Sequence, residues 1–209
     1  MNKQEFINKL RPTAKEGYEK YSILPSLCIA QACLESSFGT KHMGSANNYF
    51  GFKSGKYWKG KNITLPTKEW NGEKMITVQA EFRAYDNLEE SIRDYQRLIG
   101  TVSRYKNVCK SKNYLKATNE VYKAGYATDP HYPKKLQQII EEFHLDQVDE
   151  EVLSFMKDWR IEKGLEAIER LKNNIISSPE YWRNVIKENP DFGPLLVLIE
   201  KVMNRKEVS

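Results

Sequence analysis

Residues 62–83 are where the hydrophobic pattern of this chain changes its period, and that change limits the fold more than any other feature. Ile63, Leu65, Thr67 and Glu69 alternate along one run, and Ile76, Val78, Ala80 and Phe82 alternate along a second. Between them stands Asn71-Gly72, the strongest short-range signal for a β-hairpin. The flanking segments carry helical spacing instead. The chain is therefore expected to be α+β, mainly helical, with one small hairpin lobe.

The helices can be placed one by one. Phe6, Ile7, Leu10 and Ala14 mark a first helix over residues 3–20. Pro25 suits the opening turn of a second helix and Gly39 its stop. Asp86-Asn87 followed by Glu89-Glu90 resembles an N-cap with a capping box, for a helix running to Ile99 and ending at Gly100. A further helix fits 114–123, and Asp129-Pro130 opens another through Phe143. The charged segment 144–151 reads as a boundary between domains 1–148 and 152–209. Beyond it, Trp159, Leu165, Ile168 and Leu171 form a helical stripe. Pro179 begins a segment with Tyr181, Trp182 and Ile186, and Asn189-Pro190 precedes Leu195, Leu196, Leu198, Ile199 and Val202. Three short helices are expected there, making a small all-α bundle.

Composition narrows the function. With 40% hydrophobic and 11% aromatic residues, the 209-residue chain can bury a core. No apolar run reaches the roughly 20 residues needed to span a bilayer, so stable membrane insertion is not expected. The start MNKQEFINKL is polar and amphipathic rather than a secretory signal, so synthesis in the cytoplasm is expected. Cys28, Cys33 and Cys109 lack metal-ligand spacing, and His42, His131 and His144 are scattered, so neither metal nor cofactor is expected. Residues 1–149 hold 23 Lys and Arg against 17 Asp and Glu, while residues 150–209 hold 10 against 11. A mildly basic first domain suits a polyanionic partner such as nucleic acid or an anionic cell wall. No recognition-helix or RNA-binding motif accompanies it, so nucleic acid is not expected.

The segment Ile23–Lys53 carries the chemistry. Leu27, Ile29, Ala30, Cys33 and Leu34 give its helix an apolar stripe, while Gln31 and Glu35 lie four residues apart on one face. Glu35 is the one acid of this helix and sits near its last turn. There the helix dipole and apolar neighbours such as Phe38 disfavour the carboxylate, as a general acid near neutral pH requires. The same position would also suit a solvated glutamate on a helix flank. After the helix comes the cluster Asn47-Asn48-Tyr49-Phe50-Gly51.

Taken in order, AQACLESSFG, NNYFGFK, a hairpin containing TKEW, AEFRAYDNLEESI and AGYATDPHYPKKL resemble the glucosaminidase family of bacterial cell-wall hydrolases, glycoside hydrolase family 73. The likeness covers roughly residues 3–145, and its phage-lysin members come nearest in character. It implies a lysozyme-like fold and an endo-β-N-acetylglucosaminidase acting on peptidoglycan. It implies Glu35 as general acid, Glu69 as an assisting acid on the hairpin, and Tyr126 as an active-site tyrosine. Asn48, Phe50 and Gly51 match the family's Asn-x-Phe-Gly loop lining the groove. Tyr49, Phe50, Tyr57, Trp58 and Trp70 offer aromatic surface for sugar faces, although core of the minor lobe is the stronger reading for several of them. Ser37-Phe38-Gly39 stands where the family often has Gly-Trp-Gly, and Tyr49 and Phe52 depart from its aliphatic loop residues. These differences bear on fine specificity.

Glycosidic cleavage needs an acid for the leaving oxygen and a source of the nucleophile. If Glu69 activates water, the two carboxylates should stand about 6.5–9.5 Å apart or more. If the substrate's own acetamido group attacks, Glu69 matters less and Tyr126 orients that group. Glu69 could instead be a cross-strand partner of Lys74, and Tyr126 a packing residue. A muramidase or lytic transglycosylase is the close enzymatic rival, and a non-catalytic wall-binding module the rival from another class. An internal start and an external substrate fit release through a holin-type lesion or another signal-independent route. The region 152–209 is expected to bind wall or to mediate self-association.

Overall fold

The structure, a computed structural model, describes residues 1–171 and 176–206, with side chains described to residue 201. It divides into two compact units, Met1–Asp149 and Glu150–Ser209.

The first unit is built around a helix that is apolar nearly all round. Helix α1 (Lys3–Tyr21) precedes α2 (Pro25–Ser36), and α2 packs against α1 and three later helices. Leu27, Cys28, Ile29, Ala30, Ala32 and Cys33 are all at most 1% exposed, which marks a central helix rather than a surface one. Burial pushes both thiols up, that of Cys33 to about 12, so they are inert core residues. The start of α2 has no cap from its own neighbourhood. Asp149 supplies one from far along the chain. Its carboxylate accepts from the Ser26 backbone N–H at 2.8 Å and from the Ser26 hydroxyl at 2.5 Å. Helix α2 ends two residues before Gly39, at Ser37 with φ +49°. Gly39, at φ +80°, instead lets the chain pass Phe6, whose ring would lie 2.6 Å from an added Cβ.

The hairpin forms as its alternation predicts. Strand β1 (Lys61–Trp70) pairs antiparallel with β2 (Met75–Ala84), placing Ile63 opposite Phe82 and Glu69 opposite Ile76. Asn71-Gly72 lies in a four-residue loop. The Asn71 side chain accepts from the Glu73 and Lys74 backbones, and Gly72 takes φ +102°. Backbone bonds between Ser54 and Glu81 and between Arg83 and Phe52, each 2.9 Å, bind the base of the ribbon to the preceding loop. Among the described residues no further strand pairs with β1, whose centre carries Pro66.

Helix α3 (Leu88–Thr101) is capped by Asn87, whose side chain accepts from Glu90 N–H. The capping box is not closed, because the Glu90 carboxylate accepts from Asp86 N–H, one residue before the cap. The helix runs past Gly100, which is a packing glycine and not a stop. A Cβ there would meet the Tyr21 ring at 2.3 Å. Helices α5 (Tyr114–Lys123) and α6 (Tyr132–Glu142) pack on α2, and the short α4 (Lys106–Cys109) packs against α3 and α5. Helix α6 starts two residues later than Pro130, because Asp129 accepts from the backbones of both His131 and Tyr132 in a preceding turn.

The second unit differs from three short helices. Helix α7 (Asp146–Leu171) is 26 residues long and runs straight through the charged segment read as a boundary, its first turn carrying Asp146 and Asp149. Helices α8 (Pro179–Glu188) and α9 (Phe192–Lys206) follow. Ala167, Ile168, Leu171, Ile176, Ile186 and Leu196 form the core. Gly164 of α7 and Gly193 of α9 let two helix backbones touch: a Cβ on Gly193 would stand 2.0 Å from the Arg160 carbonyl oxygen. Val202 of the expected apolar stripe lies outside the described side chains.

Candidate active site

A cavity of about 650 Å³ opens in the first unit between the end of α2, the loop after it, the end of α3, and the turn leading into α6. Glu35 and Leu34 come from α2, Phe50, Gly51 and Phe52 from the loop, and Leu98 from α3. Gly125, Tyr126, Thr128, Asp129 and Tyr132 form the opposite wall. Its mixed lining of aromatic rings and a few polar groups suits a sugar, whose faces are apolar and whose rim is hydroxylated.

Two carboxylates line this cavity: Asp129, whose hydrogen bond from Lys135 lowers its pKa, and Glu35, whose pKa is raised. Loss of water around the Glu35 carboxyl raises its pKa above the usual 4.5, and a hydrogen bond from Tyr132 partly opposes that rise. The Tyr132 hydroxyl donates to Glu35 Oε1 at 2.7 Å. That hydroxyl in turn accepts from the Gln31 side-chain amide at 2.9 Å, and the Gln31 carbonyl oxygen accepts from Tyr95 at 2.5 Å. Gln31 and Tyr95 are wholly buried. A directed chain of donors, Tyr95 to Gln31 to Tyr132 to Glu35, thus fixes the carboxyl from the protein interior. Gln31 reaches this chain because it stands one helical turn before Glu35.

Tyr126 follows Gly125, whose φ of +75° turns the chain after α5. Its ring stacks on Tyr132 at 6.0 Å and meets Tyr95 and Tyr105 edge-on. Its hydroxyl oxygen is enclosed and has no hydrogen-bond partner within the protein. Burial, and then the neighbouring Tyr132 and Glu35, push its pKa well above 10, so it stays a hydroxyl donor. A buried donor without an acceptor costs free energy unless a ligand satisfies it.

The remaining candidates separate. Phe50 and Gly51 line the cavity, with Phe50 held flat against Tyr95 at 4.3 Å between ring centres. Asn48 does not face it. Its amide donates to the carbonyls of Phe52 and Arg83 and accepts from Phe52 N–H, so a side chain expected to bind substrate is occupied in bracing the loop. Tyr49 is likewise a core residue, 8% exposed and packed on Phe6 and His42. Trp70 is 64% exposed at the hairpin tip and is not among the lining residues. Glu69 is not among them either. It pairs with Lys53 rather than Lys74, because the loop 52–54 runs beside β2. Tyr132 is the residue that sequence reasoning passed over. Among the described residues, no three His, Cys, Asp or Glu side chains cluster as metal ligands would.

Comparison with known proteins matches this unit. Residues 11–145 fit the glucosaminidase family model, described as mannosyl-glycoprotein endo-beta-N-acetylglucosaminidase. The exo-glucosaminidase LytG of Bacillus subtilis is 42% identical over 153 residues, spanning 70% of this chain and 54% of that protein. The peptidoglycan hydrolase FlgJ of Vibrio parahaemolyticus is 33% identical over 65% of this chain and 46% of its own length. The chain thus spans about half the length of these curated relatives. Among solved structures, the catalytic domain of the Listeria monocytogenes autolysin Auto superposes with a TM-score of 0.63 at 33% identity, covering 70% of this chain and 86% of that one. A glycoside hydrolase domain of Salmonella typhimurium FlgJ gives 0.60 at 30% identity, covering 68% and 98%.

Proposed function

Because the chain belongs to the glucosaminidase family, we propose that it is a glycoside hydrolase cutting the glycan strands of bacterial peptidoglycan after N-acetylglucosamine. One observation carries the reading: a helix-borne acid of raised pKa, held by an internal hydrogen bond, stands at a cavity of sugar size. Glu35 protonates the leaving oxygen. An endo mode fits a cavity whose wall continues, past Leu98, into a second hollow.

The nucleophile is the substrate's own acetamido oxygen, which attacks the anomeric carbon as the glycosidic bond breaks. The unpartnered Tyr126 hydroxyl supports this route, because it offers a donor that would orient the acetamido group. Glu69, ion-paired outside the lining, then plays an auxiliary part at most. Residues 150–209 serve wall binding or self-association.

Mass spectrometry of fragments from purified peptidoglycan tests the assignment. New reducing ends on N-acetylglucosamine, spread over many chain lengths, are expected. Reducing N-acetylmuramic acid would make the enzyme a muramidase, anhydro ends would make it a lytic transglycosylase, and single sugars or disaccharides alone would make it exo-acting. Tyr126→Phe with unchanged turnover would refute the acetamido route.

A further inference from the structure

Beside the Glu35 cavity lies a second hollow of about 220 Å³, and Leu98 borders both. Its walls are Lys56, Tyr57 and Trp58 from the loop before the hairpin, Arg83 from β2, and Arg97 and Val102 from the end of α3. Three cations face it. One carboxylate stands among them, that of Asp94, and it is 8% exposed.

Asp94 is fully engaged. Its Oδ2 accepts from Arg83 at 2.5 Å and from the Tyr85 hydroxyl at 2.8 Å, and its Oδ1 accepts from Arg97 at 2.5 Å. One buried anion thus holds two guanidiniums side by side. Arg83 is fixed further by the Trp58 ring, 4.7 Å from its guanidinium carbon, and by donating to the Lys53 carbonyl. Each guanidinium has five N–H groups, and the bonds to Asp94 use only some of them. The paired arginines and Lys56 leave a surplus of positive charge over a floor of Leu98, Val102 and aromatic surface. Planar guanidiniums set in advance suit an oxyanion, since little freedom remains to be lost on binding.

We propose that this hollow is a subsite for the stem peptide of the substrate, and that Arg97, Arg83 and Lys56 bind a carboxylate of that peptide. The inference rests on the peptidoglycan reading above and deepens it. Adjacency to the cavity requires an occupant tied to the glycan close to the cut bond. The small volume suits a short peptide arm, and the apolar floor suits its methyl and methylene groups. An anionic wall polymer offers the same charge, but not as a branch beside the scissile linkage.

The test measures binding without turnover. The full chain carrying Glu35→Gln is titrated calorimetrically with soluble glycan fragments that retain their stem peptides and with fragments stripped of them by an amidase. Peptide-bearing fragments should bind on the order of tenfold more tightly. Adding Arg97→Ala and Lys56→Ala should abolish that difference, leave the affinity for bare glycan unchanged, and flatten the salt dependence. Arg83 is left in place because it braces the hairpin base, and a melting curve verifies the fold of each variant.

Equal affinity for the two fragments, or a preference that survives the double substitution, overturns the subsite. Walls with and without phosphate-containing polymer form a third arm, and a deficit seen only with that polymer reassigns the cations to it. Cleavage of peptidoglycan by the chain with Glu35 intact is scored separately. A missing activity with the peptide preference retained would refute the enzymatic reading and not this one.

Discussion

Glu35 sets two opposing demands on one side chain. The proposed role as an acid calls for a proton held to higher pH than a free glutamate holds it, and partial removal of the carboxyl from water acts in that direction. The cost falls on stability. The folded chain binds this proton more tightly than the unfolded one, so the related stability is fully present below the unfolded pKa and lost as pH rises through the folded value. Glu35→Gln should therefore reduce lysis by roughly 10²–10⁴-fold while raising the melting temperature at neutral pH. Near about pH 3, where both states are protonated, the gain should vanish. Melting curves at the two pH values and a turbidity assay check both halves, and lytic activity close to that of the unsubstituted chain would remove Glu35 from its role. Tyr132 moderates the same group. Its hydrogen bond favours the carboxylate, the form that Glu35 would take in the proposed reaction as the leaving group departs. Tyr132→Phe should lower kcat about tenfold with little change in KM. It should also shift the basic limb of the rate–pH profile upward, since the acid then holds its proton to higher pH. The motif AGYATDPHYPKKL contained Tyr132, but nothing in its spacing tells which of two tyrosines touches the acid. Gln31 was legible by its helical spacing from Glu35, though its link to Tyr95 depends on packing that sequence does not carry.

At the scale of elements, the local signals for secondary structure were reliable and the tertiary uses of single residues were not. Alternation placed the hairpin and spacing placed the longer helices of the first unit, while the 26-residue α7 stands where a short helix was expected. Asn48 and Tyr49 looked like groove residues because a polar and aromatic cluster suits sugars, yet a loop of that shape needs an internal brace and a core plug, and these two provide them. Gly100 resembled a stop because its role, contact with Tyr21, is set by a helix far away in sequence. The charged segment 144–151, read as a boundary, is helical from Asp146 onward, with one acid turned inward, Asp149 capping α2 through Ser26. Asp149→Ala strips the buried Ser26 N–H and hydroxyl of that acceptor, and should cost about 2–4 kcal/mol, a fall of several degrees in melting temperature by calorimetry. Because α2 carries Glu35, the loss should be accompanied by slower cleavage near the melting range.

At the scale of the whole molecule, the family match ends at residue 145 and so lies within the first unit, leaving the role of the second to experiment. Gly193→Ala should drive a Cβ into the Arg160 carbonyl and destabilise that unit. Cleavage of soluble glycan fragments should persist while binding to whole walls, or the oligomeric mass, changes. Loss of cleavage on small fragments would show that the units act as one. The hairpin has a further consequence for the molecule as a particle in suspension. Strand β1 is ten residues long and, among the described residues, pairs on one side only. An open edge of that length is a template for joining copies of the chain, and Pro66 at its centre, with Lys61 and Lys68, interrupts the template. Pro66→Thr should restore an unbroken edge, and light scattering at rising concentration should then report growth of assemblies from a chain whose catalytic cavity is unaltered.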